Sequence, residues 1–133
     1  MREADGVELV ERLYEARDRE DMPAVAALCA PDVEWRYPAA GALPYGGLWV
    51  GPEEVARFLE AHDGAEEILE FRPGAAVADG DRVVVFGFFR GRAKPSGHSW
   101  QTDFVHAMTV DGGQLRRFEA YFDTAAAVTA HRG

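Results

Sequence analysis

One histidine in this sequence interrupts an apolar run that has the character of a β-strand. His106 lies in the middle of "DFVHAMTV", residues 103–110. An imidazole has an unperturbed pKa of about 6.5, which suits proton transfer near neutral pH. A lone buried histidine also occurs as a structural residue that one hydrogen bond keeps neutral. The sequence leaves both interpretations open, and the catalytic one makes His106 the candidate acid or base.

The other residues that often carry chemistry form no recognised motif. His62, His98 and His131 fall at a helix end, in a hairpin and near the C-terminus, without the spacing of a metal site, so we predict no metal. The acidic pairs at 53–54 and 66–67 are expected to be solvated. The sequence contains no glycine-rich phosphate loop, no Cys-x-x-Cys and no Gly-x-Ser-x-Gly. These absences argue against the common motif-bearing enzyme classes.

Aromatic side chains accompany His106 on one face of its strand and on the neighbouring strands. Side chains alternate between the two faces of a strand, so the face of His106 also carries Trp100, Thr102, Phe104 and Met108. The corresponding sets on the neighbouring strands are predicted to be Val84, Phe86, Phe88 and Arg90, and Phe118, Ala120 and Phe122. Phenylalanines often only fill a core. Tryptophan and tyrosine also carry polar atoms that a ligand can satisfy, and the candidates are Tyr14, Trp35, Tyr37, Trp49 and Trp100.

The composition suits a soluble domain and argues against nucleic acid and membranes as partners. The chain has 133 residues, 47% of them hydrophobic and 28% charged, and we take residues 1–133 as a single domain. The formal net charge of −9 would repel a phosphate backbone. No apolar run approaches the roughly 20 residues that span a bilayer. The acidic start "MREADGVE" does not resemble a secretory signal, so a cytoplasmic location is the expectation.

Helical periodicity and capping residues predict three helices before residue 66 and one after residue 123. Residues 6–19 place apolar side chains at helical spacing, and a second helix follows within residues 19–31, with Asp21 as its cap. "GPEEVARFLEAH", residues 51–62, has a proline and two glutamates at a helix start. Asp123 is placed to cap a short C-terminal helix.

The remaining segments predict a loop and an antiparallel sheet. "DVEWRYP", residues 32–38, alternates in the way that is typical of a half-buried strand. Residues 38–51 contain prolines and glycines and are expected to form a loop over something apolar. Residues 66–123 are strand-like and are divided by three turn signals, which predicts a four-stranded meander. The fold class is therefore α+β.

The strand "RVVVFGFFRG", residues 82–91, is apolar on both of its alternating faces. An apolar face that met water would be unfavourable, so one face is expected to pack on the helices and the other on a second subunit. We therefore predict a homodimer formed through the outer face of the sheet.

Most of the chain resembles the SnoaL-like polyketide cyclases and the ketosteroid-isomerase-like proteins of the nuclear transport factor 2 (NTF2-like) superfamily. The resemblance implies a cone-shaped fold in which three N-terminal helices pack on a strongly curved antiparallel sheet and enclose an apolar pocket. The family hosts several reactions as well as non-catalytic binders, so the fold alone does not name a reaction. The segments that carry the resemblance are "LYEARDREDMPAVAALCAPDVEW", "PYGGLWVGPEEVARFL", "VADGDRVVVFGFFRGR" and "DFVHAMTVDGGQLRRFEAYFD".

The residues at the family's functional positions differ from those of its best-known enzymes. Tyr37 stands where the steroid isomerases place a base aspartate. His106 matches a histidine of the SnoaL-type cyclases and the oxyanion-binding aspartic acid of the isomerases. Ala120 stands where the cyclases and the limonene-type epoxide hydrolases have an aspartate. The helix-one tyrosine of the isomerases falls on Leu13, one place before Tyr14.

Three functional hypotheses follow. The first is a cofactor-independent enzyme that cyclises or isomerises a hydrophobic, oxygenated small molecule, polyketide-like or terpenoid-like. In it His106 transfers the proton and Tyr37 or Tyr14 hydrogen-bonds the oxyanion. The second is a non-catalytic binding or accessory protein, and the third is a structural dimer whose own aromatics fill the cavity. The predicted substrate-binding residues are Trp35, Trp49, Phe58, Phe86, Phe88, Trp100, Phe104, Met108, Phe118 and Ala120.

Overall fold

The helices and strands form an α+β fold with one six-stranded curved sheet. The computed structural model describes residues 2–133. Its elements are α1 (Arg2–Asp18), α2 (Met22–Leu28), β1 (Cys29–Tyr37), β2 (Gly47–Val50), α3 (Pro52–Ala65), β3 (Glu66–Asp79), β4 (Arg82–Ala93), β5 (Ser99–Asp111), β6 (Gln114–Phe122) and α4 (Thr124–Arg132). The sheet order is β2-β1-β6-β5-β4-β3. The predicted fold class is confirmed.

α2 and α4 begin after the predicted capping residues, whereas α1 begins at Arg2, earlier than the predicted residue 6. Asp21 accepts a hydrogen bond from the backbone N–H of Ala24 at 3.1 Å, and Asp123 accepts one from Ala126 at 3.1 Å. α2 ends at Leu28, earlier than predicted, because Cys29 already has extended dihedrals and begins β1. Over residues 2–133, no helix has the length and apolar character needed to cross a membrane.

The sheet contains the predicted meander and two features that the sequence did not predict. Strands β3 to β6 pair antiparallel in chain order. β1 pairs with β6 in parallel, with Trp35 opposite Phe118, so the sheet is mixed. Residues 47–50, which were predicted as loop, form β2 and pair with β1, with Trp49 opposite Trp35. Both features arise from pairing between distant segments, which local periodicity does not report.

The face predicted for β4 is wrong. Phe86 is 53% exposed and Phe88 shares its outer face, whereas Val85 is buried beneath the helices. β4 carries apolar residues on both of its faces, so its sequence pattern does not indicate which face is buried. Gly87 explains the observed phase, because a Cβ atom there would collide with the ring of Phe104 and with a backbone carbonyl 2.7 Å away. The inner face of β4 therefore carries small residues where the rings of β5 need space.

Register shifts curve the sheet around the helices. They interrupt the pairs β1–β6, β3–β4 and β5–β6, and such irregularities increase local twist. α1 lies against β3, β4 and β5, while α3 lies against β1, β2 and β3. The buried core includes Val33, Met108 and Leu115 at the closed end of this arrangement. The helices and the concave face of the sheet enclose a cavity.

Candidate functional site

A cavity of about 450 Å³ lies between the helices and the concave face of the sheet. Its volume falls within the range of about 300–1,000 Å³ that is typical of small-molecule sites. The apolar part of its wall consists of Leu13, Val25, Trp35, Phe58, Ile68, Phe71, Phe89, Trp100, Phe104, Phe118 and Phe122. Its polar part consists of Tyr14, Arg17, Asp18, Glu20, Tyr37, Tyr45, His62, Asp63, Glu66, Glu67, Lys94, Thr102 and His106.

Most of the predicted site residues share this cavity. The three candidate catalytic residues Tyr14, Tyr37 and His106 all line it. The predicted substrate-binding residues that also line it are Trp35, Phe58, Trp100, Phe104 and Phe118. A cavity of this volume argues against a structural dimer whose own aromatics leave no internal space.

Five predicted substrate-binding residues do not line the cavity. Phe86 and Phe88 lie on the outer face of the sheet, because β4 has the opposite phase to the predicted one. Met108 is only 1% exposed and lies in the core beneath the cavity. Ala120 is buried opposite His106 in the strand register. Trp49 donates its indole N–H to the carbonyl oxygen of Tyr45 at 3.2 Å, and its ring packs against Phe58 from outside.

His106 and Tyr14 form a hydrogen-bonded pair in the cavity wall. Tyr14 Oη and His106 Nδ1 are 2.9 Å apart. Tyr14 comes from α1 and His106 from β5. Burial lowers the pKa of His106 to about 3. Burial, with a smaller contribution from Tyr37, raises the pKa of Tyr14 well above its usual value. Both side chains are therefore neutral at pH 7.

Aromatic rings enclose the imidazole of His106. Its ring centroid lies 4.3 Å from that of Phe104 and 4.7 Å from that of Phe118. Trp35 stacks on the other side of this cluster, with its ring centroid 4.0 Å from Phe118 and nearly parallel to it. Flat, closely spaced rings of this kind suit an apolar ligand with a planar part.

Tyr37 occupies the middle of the cavity wall. Its ring is nearly parallel to that of Phe118, with 6.2 Å between the centroids. Burial raises the pKa of Tyr37 to about 12, while the nearby Arg17 cation lowers it and the Glu66 carboxylate raises it. Within residues 2–133 the Tyr37 hydroxyl makes no hydrogen bond to a side chain or to the backbone. The hydroxyl is thus available to a ligand.

A group that the sequence did not predict lies beside Tyr37. Arg17 Nη2 donates to Asp63 Oδ1 at 2.9 Å and lies 3.2 Å from His62 Nδ1. The His62 side chain is buried, with 6% exposure. Burial, followed by the charge of Arg17, lowers the pKa of His62 to about 3. His62 is therefore a neutral donor and acceptor inside the cavity.

The prediction that Glu66 is solvated is wrong. Its side chain is fully buried and accepts three hydrogen bonds, from Tyr45 Oη at 2.9 Å, Trp100 Nε1 at 2.7 Å and His131 Nε2 at 2.7 Å. We call these four residues the Glu66 network. Its donors come from the 38–46 loop, from β5 and from α4, so one carboxylate joins distant segments at the cavity wall.

The match to known proteins agrees with this geometry. Residues 10–118 match the SnoaL-like domain. The chain belongs to the SnoaL-like family. This SnoaL-like protein is similar to several solved structures, and the predicted resemblance is confirmed. No curated protein matches its sequence.

Three of the similar structures cover nearly the whole chain. An NTF2-like protein from Burkholderia xenovorans LB400 is 32% identical, with a TM-score of 0.88 and 96% of each chain covered. An NTF2-like protein of unknown function from Burkholderia pseudomallei K96243 is 32% identical, with a TM-score of 0.87, covering 97% of this chain and 98% of that one. TerC, co-crystallised with polyporic acid, is 28% identical, with a TM-score of 0.83, covering 97% and 99%.

Sequence reasoning missed His62 and Glu66 in this SnoaL-like protein, although one signal was present. Val55, Phe58 and Leu59 mark the buried face of α3, and His62 follows them at helical spacing. Extending that face would have placed His62 in the core. Nothing in the local sequence distinguishes Glu66 from Glu67. Glu66 is buried because it is the first residue of β3, where residues of β5 and α4 contact its side chain. Among residues 2–133, no three side chains of His, Cys, Asp or Glu cluster as a metal site would require.

Proposed function

We propose that this SnoaL-like protein is a cofactor-independent enzyme that cyclises or isomerises a hydrophobic, oxygenated small molecule. The observation that carries the proposal is the neutral Tyr14–His106 pair in the wall of an aromatic cavity. A ligand oxygen beside this pair would meet a phenol donor and an imidazole within one hydrogen-bonded unit. The catalytic residues are His106 and Tyr14.

The pair has two neutral forms. When Tyr14 donates to Nδ1 of His106, the imidazole proton is on Nε2. When Nδ1 carries the proton and donates to Tyr14 Oη, Nε2 is an unprotonated base and the phenolic O–H is free for the ligand. The second form supplies a base and an oxyanion donor at the same time.

In the proposed reaction, His106 Nε2 accepts a proton from the carbon beside a ligand carbonyl. The electron pair of that C–H bond moves into the carbonyl to give an enolate, whose oxygen accepts a hydrogen bond from Tyr14. For cyclisation, the enolate carbon bonds to a second carbonyl carbon, and the proton on His106 passes to the new alkoxide. For isomerisation, the proton returns to a different carbon of the conjugated enolate.

The low pKa of His106 limits the substrate. Because burial lowers this pKa to about 3, the imidazole is a weak base. A weak base requires a C–H bond that is already acidic, such as one between two carbonyl groups. A polyketide-like substrate provides such a bond, and we favour it over a simple terpenoid ketone.

A non-catalytic binding protein is the second candidate, and the state of the carboxylates favours it. Asp63 is paired with Arg17, and Glu66 accepts three hydrogen bonds. Tyr37 and Ala120 stand where the resemblance places the aspartates of related enzymes, so neither position supplies a carboxylate. The co-crystallisation of TerC, a similar protein, with polyporic acid supports a ligand-binding role.

Deuterium exchange separates the two candidates. We would follow exchange of the hydrogens between the two carbonyl groups of ethyl benzoylacetate in D₂O by NMR, and follow binding by quenching of Trp35 and Trp100 in the cavity wall. The enzyme hypothesis expects exchange above the buffer rate and a loss of at least ~10-fold in His106→Asn, since a general base contributes about 10²–10⁴-fold. His98→Asn, at an exposed hairpin residue, is the control. Binding without exchange would favour the binding protein, and parent-like exchange in His106→Asn would remove His106 from the mechanism.

We also propose that the outer face of the sheet pairs with a second copy of the chain. Phe86, Val105 and Tyr121 lie side by side across β4, β5 and β6, and the first and last are each 53% exposed. Arg72 and Asp103 border the same groove. Because this face carries both charges, two copies related by a two-fold axis can match them while burying the aromatic row.

A further inference from the structure

A second polar group, His62 and Tyr37, lines the same cavity. The side chain of His62 faces inward from α3, with its ring centroid 4.5 Å from that of Tyr45. The Tyr37 ring meets it edge-on, with 6.2 Å between the centroids. No step of the proposed reaction uses either side chain.

The hydrogen bond from Arg17 fixes the proton of His62. A guanidinium group has only donors, so the 3.2 Å contact between Arg17 Nη2 and His62 Nδ1 requires that Nδ1 accept. The single proton of the neutral imidazole is then on Nε2. Two further bonds to Asp63, at 2.9 Å and 3.4 Å, hold the guanidinium in place. His62 therefore offers an N–H donor whose tautomer is set by the protein.

The protein supplies no acceptor for the two donors of this group. Within residues 2–133, neither His62 Nε2 nor the Tyr37 hydroxyl bonds to another residue. The carboxylates nearby are engaged, Asp63 by Arg17 and Glu66 by its own three donors. The Arg17 cation also strengthens both donors, since it polarises the imidazole and lowers the pKa of Tyr37 relative to burial alone.

Phe118 lies near both this group and the Tyr14–His106 pair. Its ring centroid is 4.7 Å from His106 and 6.2 Å from Tyr37, to which it is nearly parallel. A ligand beside Phe118 can therefore reach both polar groups.

We propose that Tyr37 and His62, oriented by Arg17, form a second oxygen-binding subsite that selects ligands with a second oxygen on their apolar framework. The oxygen bound there is a carbonyl or an enolate, because such an oxygen can accept from both the Tyr37 O–H and the His62 Nε2–H. In a cyclisation it would be the carbonyl that the enolate attacks, and the two donors would stabilise the charge that develops on it. This subsite rests on the proposed function, which places the first oxygen at Tyr14 and His106.

Binding of matched ligands tests the subsite. The probes are 1-tetralone, with one oxygen, and 2,3-dimethyl-1,4-naphthoquinone, a neutral molecule with two carbonyl oxygens, both titrated by calorimetry. Tyr37→Phe removes one donor, and His62→Asn retains an acceptor for Arg17 while removing Nε2. A neutral hydrogen bond contributes about 2- to 10-fold in affinity. Each variant should therefore lower the affinity for the naphthoquinone by that factor and leave the affinity for 1-tetralone unchanged. Tyr121→Phe, the same change at an exposed tyrosine, should alter neither.

The outcomes separate this inference from the proposed function. Tyr14→Phe should weaken both probes, because both place an oxygen at the Tyr14–His106 pair. Suppose that Tyr14→Phe lowers the affinity for both probes. If the Tyr37 and His62 variants then leave the affinity for the naphthoquinone unchanged, or lower both affinities equally, the second subsite is wrong and the proposed function stands. If the parent protein binds neither probe, both are wrong.

Discussion

His131, the eighth residue of α4, places Nε2 2.7 Å from Oε1 of Glu66, 65 positions earlier in the chain. The Glu66 side chain is fully buried at the first residue of β3, and that of His131 is 5% exposed in α4. Tyr45 and Trp100 donate to the same carboxylate and also line the cavity. The Glu66 network therefore joins the C-terminal helix to the wall of the proposed site.

Loss of the Glu66 carboxylate should destabilise the protein strongly. Glu66→Ala leaves three buried donors without an acceptor, and removing one partner of a buried charged network costs about 3–5 kcal/mol. Glu67→Ala is the matched control, because the neighbouring side chain is 49% exposed and its ion pair with Arg92 contributes about 0–1 kcal/mol. Urea denaturation followed by circular dichroism measures both. Equal costs for the two variants would show that the network does not stabilise the fold.

Acid should destabilise the protein through His62 and His106. Burial, and for His62 also Arg17, lowers the pKa of each imidazole to about 3 in the folded state. The unfolded chain takes up these protons near a pKa of about 6.5, so stability is complete above that pH and is lost as the pH falls towards 3.

The size of this effect can be measured one histidine at a time. Each buried imidazole contributes a slope of about 1.4 kcal/mol per pH unit between its unfolded and folded pKa values. His106→Asn should remove that slope from the free energy of unfolding measured between pH 6 and about 4. His98→Asn is the control for loss of an imidazole at an exposed position. A slope that survives in His106→Asn would mean that the buried ring is not kept neutral.

A methyl group at Gly87 should destabilise the sheet. The added Cβ would collide with the Phe104 ring and lie 2.7 Å from the carbonyl oxygen of Arg72. Such overpacking costs about 1–3 kcal/mol. Gly64→Ala, in α3 where no atom lies within 4 Å of the new Cβ, should instead stabilise by about 0.5–1 kcal/mol. Thermal denaturation should give a lower melting temperature for Gly87→Ala and a higher one for Gly64→Ala. A Gly87→Ala variant as stable as the parent would contradict the assignment of Gly87 to the inner face of β4.

Charge on the outer face should separate the proposed dimer. Phe86→Glu introduces a carboxylate on an exposed row that includes Tyr121, where it would be buried without a partner in a dimer. Sedimentation velocity should show a dimer for the parent and a monomer for the variant. Glu60→Gln, on the exposed side of α3 far from this sheet face, should remain dimeric. A monomeric parent at micromolar concentration would rule out the proposed interface.

The sequence alone determined much of this architecture, because the relevant signals are local. Aspartate caps and helical spacing place the helices, and alternation places Val33, Trp35 and Tyr37 on the inner face of β1. The same alternation aligns Phe104 and His106 on β5. The chain's match to the SnoaL-like family followed from the same segments.

The tertiary structure decided what depends on contacts between distant segments. Phe86 lies outside because Phe104, on the next strand, needs the space that Gly87 leaves. Glu66 is buried and its neighbour Glu67 is exposed because donors from a loop, a strand and the last helix converge on only one of two identical side chains. A local pattern records which residues alternate, but hydrogen bonds and steric exclusion across the sheet select the face and the partner.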